Sequence, residues 1–316
     1  MIRRLLLALP LAAASLAAAQ TAPPPRFQPD RSGFDVTVRH LSIDYKVFAL
    51  FALPGASVPI AVENSGAHFS VRATGGRIKA LGNNRWRWRA PAAPGHYEVD
   101  VRRADGARVR LESFVMVPAG EVRDGRLNGY RIGHYPTLHH AHHAASYAAP
   151  RGFVQVTPAL RDVPVSPHFT LGQFLCKEAG GYPKYVVLQP RLLLKLEDLM
   201  DYLNAHGVQA PKVHVMSGYR TPWYNARLGN VPDSRHTLGD AADIYIDVAP
   251  KNGMMDDLNH DGRSDFADSR LLAADINKLF RKPGLNYLRG GVGAYHSTSA
   301  HGPFVHVDAR GWRARW

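Results

Sequence analysis

With 316 residues, 45% of them hydrophobic and 21% charged, the chain has enough apolar material for packed cores, which excludes a disordered tail or a collagen-like fibre. A single cysteine, Cys176, excludes an internal disulfide, so stability has to come from packing and from bound metals. The net charge of +13 points to polyanionic surroundings, and for an exported chain these are an anionic envelope rather than nucleic acid.

The first residues predict export. "MIRRLLLALPLAAASLAAAQ" sets Arg3 and Arg4 before an apolar core from Leu5 to Leu16, then small residues at Ala17–Ala19. This is the pattern of a secretory signal peptide over residues 1–19, too short and wrongly flanked for a membrane span. No cysteine follows the core, so no lipid attachment is expected there, and no later run reaches eighteen apolar residues. A periplasmic or cell-envelope protein without a transmembrane segment is therefore predicted.

Residues 20–32 include "TAPPPRFQPD", a proline-rich tether. Over residues 33–118 short segments alternate apolar and polar side chains: "FDVTVRHLSI", "SVPIAV", "HFSVRA", "RWRWRA", "HYEVDVRR" and "RVRLESFVMV". Turn formers separate them, so six or seven strands in an all-β sandwich of immunoglobulin type are predicted. Trp86 and Trp88 alternate with Arg85, Arg87 and Arg89, as expected of a core face backed by a solvated one. Residues 119–167 carry five histidines between His134 and His143 and no clear periodicity. They read as a mobile, loop-like connector with a tract able to bind metal.

From residue 168 to 316 the texture changes. Leu192, Leu193, Leu196, Leu199, Met200 and Leu203 fall at helical spacing, with Pro190 at the start and Gly207 past the end. "KVHVMSGY" and "ADIYIDV" read as strands, "DSRLLAADINKLFRK" as a second helix and "PFVHVDAR" as a last strand. Helices and strands in mixed order predict an α+β domain with a mainly antiparallel sheet. Cys176, among apolar neighbours in "FTLGQFLCKEAG", is expected to be a buried hydrophobe rather than a nucleophile.

Strand alternation then sorts the chemistry. Asp243 shares a face with Tyr245 and Asp247, while Ile244, Ile246 and Val248 share the other. In the last strand His306 shares a face with Phe304 and Asp308. His236, in the loop entering the first of these strands, can reach the same point. Two imidazoles and one carboxylate leave a fourth tetrahedral position for water, the arrangement of a catalytic zinc site.

"SGYRT" (217–221), "SRHTLGDAAD" (234–243) and "FVHVD" (304–308) together resemble the zinc D-Ala-D-Ala carboxypeptidase family, relatives of the lysostaphin and hedgehog metallopeptidase fold, and the periplasmic murein-peptidase branch above all. The resemblance implies that His236, Asp243 and His306 are zinc ligands. It implies that Arg220 grips a substrate carboxylate or orients the peptide, and the first task suits the guanidinium fork. Ser234 and Asp240 are expected to cap the loop. Several relatives carry Glu-x-x-His with the glutamate as general base, but Pro303 occupies that position here. His301 is then the expected base, with Asp308 as the alternative or as a group orienting a ligand.

"DLNHDGRSDFAD" implies a second ion. From Asp257, side-chain oxygens fall at positions 1, 3 and 5 (Asp257, Asn259, Asp261), Gly262 stands at 6, Arg263 offers its carbonyl at 7, and Asp265 and Asp268 stand at 9 and 12. That is the spacing of an EF-hand calcium loop, with a structural role expected. Together these features predict an exported zinc metallopeptidase acting on peptidoglycan stem peptides or cross-links. The rival class is a non-catalytic wall-binding protein with a vestigial metal site, and such a site should have lost a ligand or the arginine.

Overall fold

The computed structural model describes residues 27–63, 66–137, 143–248 and 251–316. The predicted signal peptide lies outside these residues, as do His139, His140 and His142 of the histidine tract. The chain is mostly sheet with few helices, consistent with an α+β peptidase domain behind an all-β region. Among the described residues no helix is long and apolar enough to cross a membrane.

Nine strands form the N-terminal region: β1 (Arg31–Val38), β2 (Leu41–Tyr45), β3 (Val47–Ala52), β4 (Ser57–Ala61), β5 (Phe69–Ala73), β6 (Arg77–Gly82), β7 (Arg85–Arg89), β8 (Gly95–Arg103) and β9 (Arg108–Val115). They make two sheets, ordered β2-β1-β4-β7-β6 and β3-β9-β8-β5. Every neighbouring pair is antiparallel except β3 with β9, which run parallel. Trp86 and Trp88 of β7 turn into the core while Arg85, Arg87 and Arg89 face solvent.

Three differences from the sequence expectation have physical causes. β1 starts at Arg31, inside the segment expected to be tether, because Arg31 pairs with Tyr45 and its guanidinium meets Asp44. β3, "VFALFA", lacks alternation because it is buried along nearly its whole length, and a strand covered on both faces reads as a continuous apolar run. The described part of the 119–167 connector is built into the fold. β10 (Val117–Pro118) pairs with β13 (Gly152–Val156), which pairs with β16 (Lys184–Val186). Between them stand two short pairs, β11 (Arg126–Leu127) with β12 (Tyr130–Arg131), and β14 (Pro164–Ser166) with β15 (Phe169–Thr170). Gly133 takes a φ of +81°, and a Cβ there would lie 2.6 Å from the Trp223 backbone nitrogen, so this segment seats directly on the C-terminal region.

The C-terminal region is built on α1 (Pro190–Ala205), β17 (His214–Ser217), α2 (Pro222–Arg227), β18 (Ala241–Tyr245), α3 (Phe266–Leu279), β19 (Gly291–Tyr295), β20 (Phe304–Asp308) and β21 (Ala314–Arg315). Its sheet runs β17-β18-β20-β19-β21, antiparallel apart from the β19–β21 pair. α1 buries the predicted leucine face, and Cys176 is 1% exposed. Burial pushes its thiol pKa up, which makes it a packing residue. α1 also carries the buried Lys195, whose Nζ donates to the carbonyls of Asp308 (2.7 Å) and Leu288 (3.2 Å). On its other side Tyr45 and Arg31 of the N-terminal region hold Asp198 and Asp201.

Candidate metal centre

His236 sits in a short 3-10 turn, Arg235–Leu238, that ends at Gly239. Gly239 has a φ of +71°, and a Cβ there would stand 2.3 Å from the Val187 carbonyl oxygen. Glycine therefore lets the chain reverse tightly against the neighbouring strand end and enter β18 four residues before Asp243. Asp243 lies directly opposite His306 in the β18–β20 register, so the two side chains project from the same face.

The three donor atoms converge. Nε2 of His236 lies 3.1 Å from Oδ1 of Asp243 and 3.1 Å from Nδ1 of His306, and that Nδ1 lies 3.0 Å from Asp243 Oδ1. Such crowding of lone pairs without a proton for each contact is the arrangement of ligands about one cation. Among the described residues this is the one group of three or more histidine, cysteine, aspartate or glutamate side chains gathered closely enough to hold a metal. All three are buried.

The remaining atom of each ligand is tied down. His236 Nδ1 donates to the Gly218 carbonyl at 2.6 Å, which fixes the tautomer with the Nε2 lone pair facing the centre. His306 Nε2 donates to Asp308 Oδ2 at 3.3 Å, leaving Nδ1 for the metal. Asp243 Oδ2 accepts from Arg220 Nη2 at 2.5 Å, so Oδ1 alone is presented. Arg220 is anchored in turn through Nε to Ser217 Oγ at 3.0 Å.

The charges follow this geometry. Burial opposes ionisation of Asp243, but the neighbouring His236 and His306 outweigh it and hold the carboxyl far below the usual range. Burial pushes His236 down, towards the neutral form that ligation requires. Burial works the same way on His306, yet the adjacent carboxylates of Asp243 and Asp308 raise it overall.

Asp308 is not placed to act as a base. It is fully buried, and its oxygens accept from His306, the Gly291 N–H (2.8 Å) and the guanidinium of Arg310 (2.6–2.9 Å). Burial resists its ionisation, but His306 and Arg310 keep it ionised far below the ordinary carboxylate range. It lies against the far nitrogen of the His306 ring. His301 lies in the β19–β20 connection, its Nδ1 2.8 Å from the Gly302 carbonyl oxygen and its ring edge-on to Phe304 at 4.9 Å. None of its contacts is with the three donors. Ser234 makes no side-chain cap, while Asp240 forms a buried pair with Arg235.

The acidic loop is organised differently. Asp257 Oδ2 accepts from the Gly262 N–H (2.8 Å), Asn259 Oδ1 from Asp261 (3.0 Å) and Asp261 Oδ1 from Arg263 (3.0 Å). Asp265 and Asp268 form a capping box at the start of α3, and Asp268 Oδ1 also accepts from the N–H of Leu258 (2.8 Å).

Spacing did not reveal Gly218 or Lys195, because the first reaches His236 and the second the Asp308 carbonyl only across fold contacts. Arg310 had the one available signal, a cation two residues beyond an acidic strand end. A cavity of about 480 Å³ lies between β1–β3 and the start of α1. Arg235, Asp240 and Arg310 line it, but none of the three donors does.

Residues 167–270 match the model of the Peptidase M15 family. The matched segment holds Arg220, His236, Asp243 and the whole acidic loop, and it ends before His306. M15 peptidases are zinc-dependent, and two imidazoles with one carboxylate suit zinc. The match therefore supports a metallopeptidase. No curated protein matches the chain. Among solved structures, a nucleoside hydrolase-related hypothetical protein from Saccharophagus degradans, associated with carbohydrate metabolism, aligns at 13% identity over 25% of this chain and 24% of that one. Its TM-score is 0.19, too low to carry an argument.

Proposed function

We propose that this protein is an exported zinc metallopeptidase that hydrolyses peptide bonds in peptidoglycan stem peptides or cross-links, as a D-Ala-D-Ala carboxypeptidase or a murein endopeptidase. The observation that carries the proposal is the convergence of His236 Nε2, Asp243 Oδ1 and His306 Nδ1 within 3.1 Å, each ligand held from behind by another group. Zinc held there supplies a Lewis acid for the scissile carbonyl and a bound water whose pKa falls towards ~7.

The chain's own residues do the rest. Arg310 and Asp308 keep the His306 ring oriented, and the Gly218 carbonyl does the same for His236. Arg220 uses Nη2 on Asp243, and among the described residues Nη1 has no partner, so it is the atom that takes a substrate carboxylate. His301 moves the proton between attacking water and leaving amine, since Asp308 has no open oxygen for the task. A vestigial, wall-binding role is disfavoured because the triad, its supports and Arg220 are all retained.

Three further parts belong to the proposal. Residues 1–19 direct export. The strand orders β2-β1-β4-β7-β6 and β3-β9-β8-β5, with the parallel β3–β9 pair, support an immunoglobulin-like sandwich. Calcium occupies the 257–268 loop, where His260 (φ +61°) and Gly262 (φ +86°) turn the backbone about the side chains at positions 1, 3 and 5.

The test is incubation of purified murein peptides with the zinc-loaded protein, followed by mass spectrometry. Release of free alanine identifies a carboxypeptidase, and cross-links split into monomers identify an endopeptidase. Unchanged peptides, with zinc bound, overturn the assignment.

A further inference from the structure

Strand β19 begins Gly291-Val292-Gly293, and the space over each glycine is taken by a side chain from the chain's last residues. A Cβ at Gly293 would stand 2.3 Å from Nε1 of Trp316, while one at Gly291 would first meet Oδ2 of Asp308 at 2.3 Å and then Cη2 of Trp316 at 2.9 Å. Gly293 is the β-ladder partner of His306, so the space its missing side chain leaves is on the His306 face. The Trp316 indole fills that space, with its ring centroid 5.2 Å from the imidazole.

Several partners fix the indole. Nε1 donates to the Tyr295 hydroxyl at 2.5 Å, and the Tyr295 ring is itself stacked on Phe304 at 4.7 Å. The Arg310 guanidinium lies 5.4 Å from the indole centroid while holding Asp308. Despite these anchors Trp316 remains 51% exposed. A large apolar ring, immobilised beside a metal ligand and left half open, has already lost most of the side-chain freedom that binding would otherwise cost.

We infer that Trp316 is the substrate-contacting wall of the metal centre on its His306 side, taking an alkyl side chain of the bound peptide against its open face. This rests on the peptidase assignment. A tryptophan that merely plugged the glycine floor would be needed for metal retention and turnover but not for substrate affinity.

The experiment compares full-length, zinc-loaded wild type with Trp316→Ala and Trp316→Phe, reading murein-peptide kinetics, zinc content and quenching of tryptophan fluorescence by Co²⁺ bound in place of zinc. Loss of one apolar contact should raise KM by about tenfold in Trp316→Ala, with kcat and zinc content nearly unchanged and Trp316→Phe recovering most of the loss. Cobalt should quench wild type more strongly than Trp316→Phe. An unchanged KM, or loss of zinc and kcat with KM intact, overturns the inference in favour of a plug. If Trp316→Ala does not fold, Tyr295→Phe removes the indole's acceptor, and KM then decides: a rise supports the wall, no change overturns it. A wild type that cleaves nothing overturns the peptidase assignment instead, and the cobalt comparison then decides whether the indole borders the metal.

Discussion

His236, Asp243 and His306 gather their donor atoms from a tight turn and two adjacent strands, whereas the carboxylates of the 257–268 loop spend their oxygens on the loop's own N–H groups. The first group is buried in a sheet and held by Gly218, Arg220 and Asp308; in the second, Asp261 is exposed, Asp257 and Asp265 are half-buried and Asp268 is buried. The difference separates two ways of making an ion site. Strand register and supporting hydrogen bonds assemble the triad as part of folding, so metal is added to a prepared place. In the loop the side-chain oxygens are bonded to backbone N–H groups, so the calcium proposed there would have to recruit oxygens that already have partners. Zinc should therefore govern chemistry with little effect on the loop, and calcium should govern stability with little effect on the triad.

The largest expected effect breaks the prepared site. His236→Ala should lose both bound zinc and peptidase activity while circular dichroism shows an intact fold, and retention of metal and activity would remove His236 from the ligand set. Next is His301→Ala, which should keep its zinc and lose roughly two or more orders of magnitude in turnover. If zinc is kept and turnover is normal, proton transfer belongs to another group. Asp308→Asn should weaken zinc binding by about 10- to 100-fold, as expected when the partner orienting a ligating histidine is changed. Competition with a chelator measures this, and wild-type affinity would show that Arg310 and the strand suffice to hold His306. The smallest effect is on the loop. Calcium at a hundredfold excess over its dissociation constant should stabilise wild type by roughly 2.7 kcal/mol. Asp257→Ala with Asp261→Ala should abolish that thermal shift and leave zinc content unchanged. Loss of zinc in the double variant would show that the two sites are not independent.

How far each region was legible in sequence follows from where its contacts lie. His236 and Asp243 sit on one short turn and strand, and His306 is on a strand whose alternation is plain, so local pattern was enough to bring them together. Arg220 was named for a substrate carboxylate, but its bond to Asp243 across 23 positions was not legible, nor was that of Lys195 to Asp308 across 113. Asp308 could be read as base or as orienting group until its burial and its Arg310 partner were seen. β3 was missed because its apolar run has no alternation, and the 119–167 segment because its short strands pair with distant elements. Trp86 and Trp88 were readable as core, since β7 buries one face and exposes the other.

α1 gives the molecule a mechanical property. On one side Asp198 and Asp201 are gripped by Tyr45 and Arg31 at the edge of an N-terminal sheet. On the other, Lys195 holds the Asp308 carbonyl, two residues beyond the ligand His306. The one helix thus touches both β1–β2 and the end of β20. A load there would bear on the strand that aims a metal ligand.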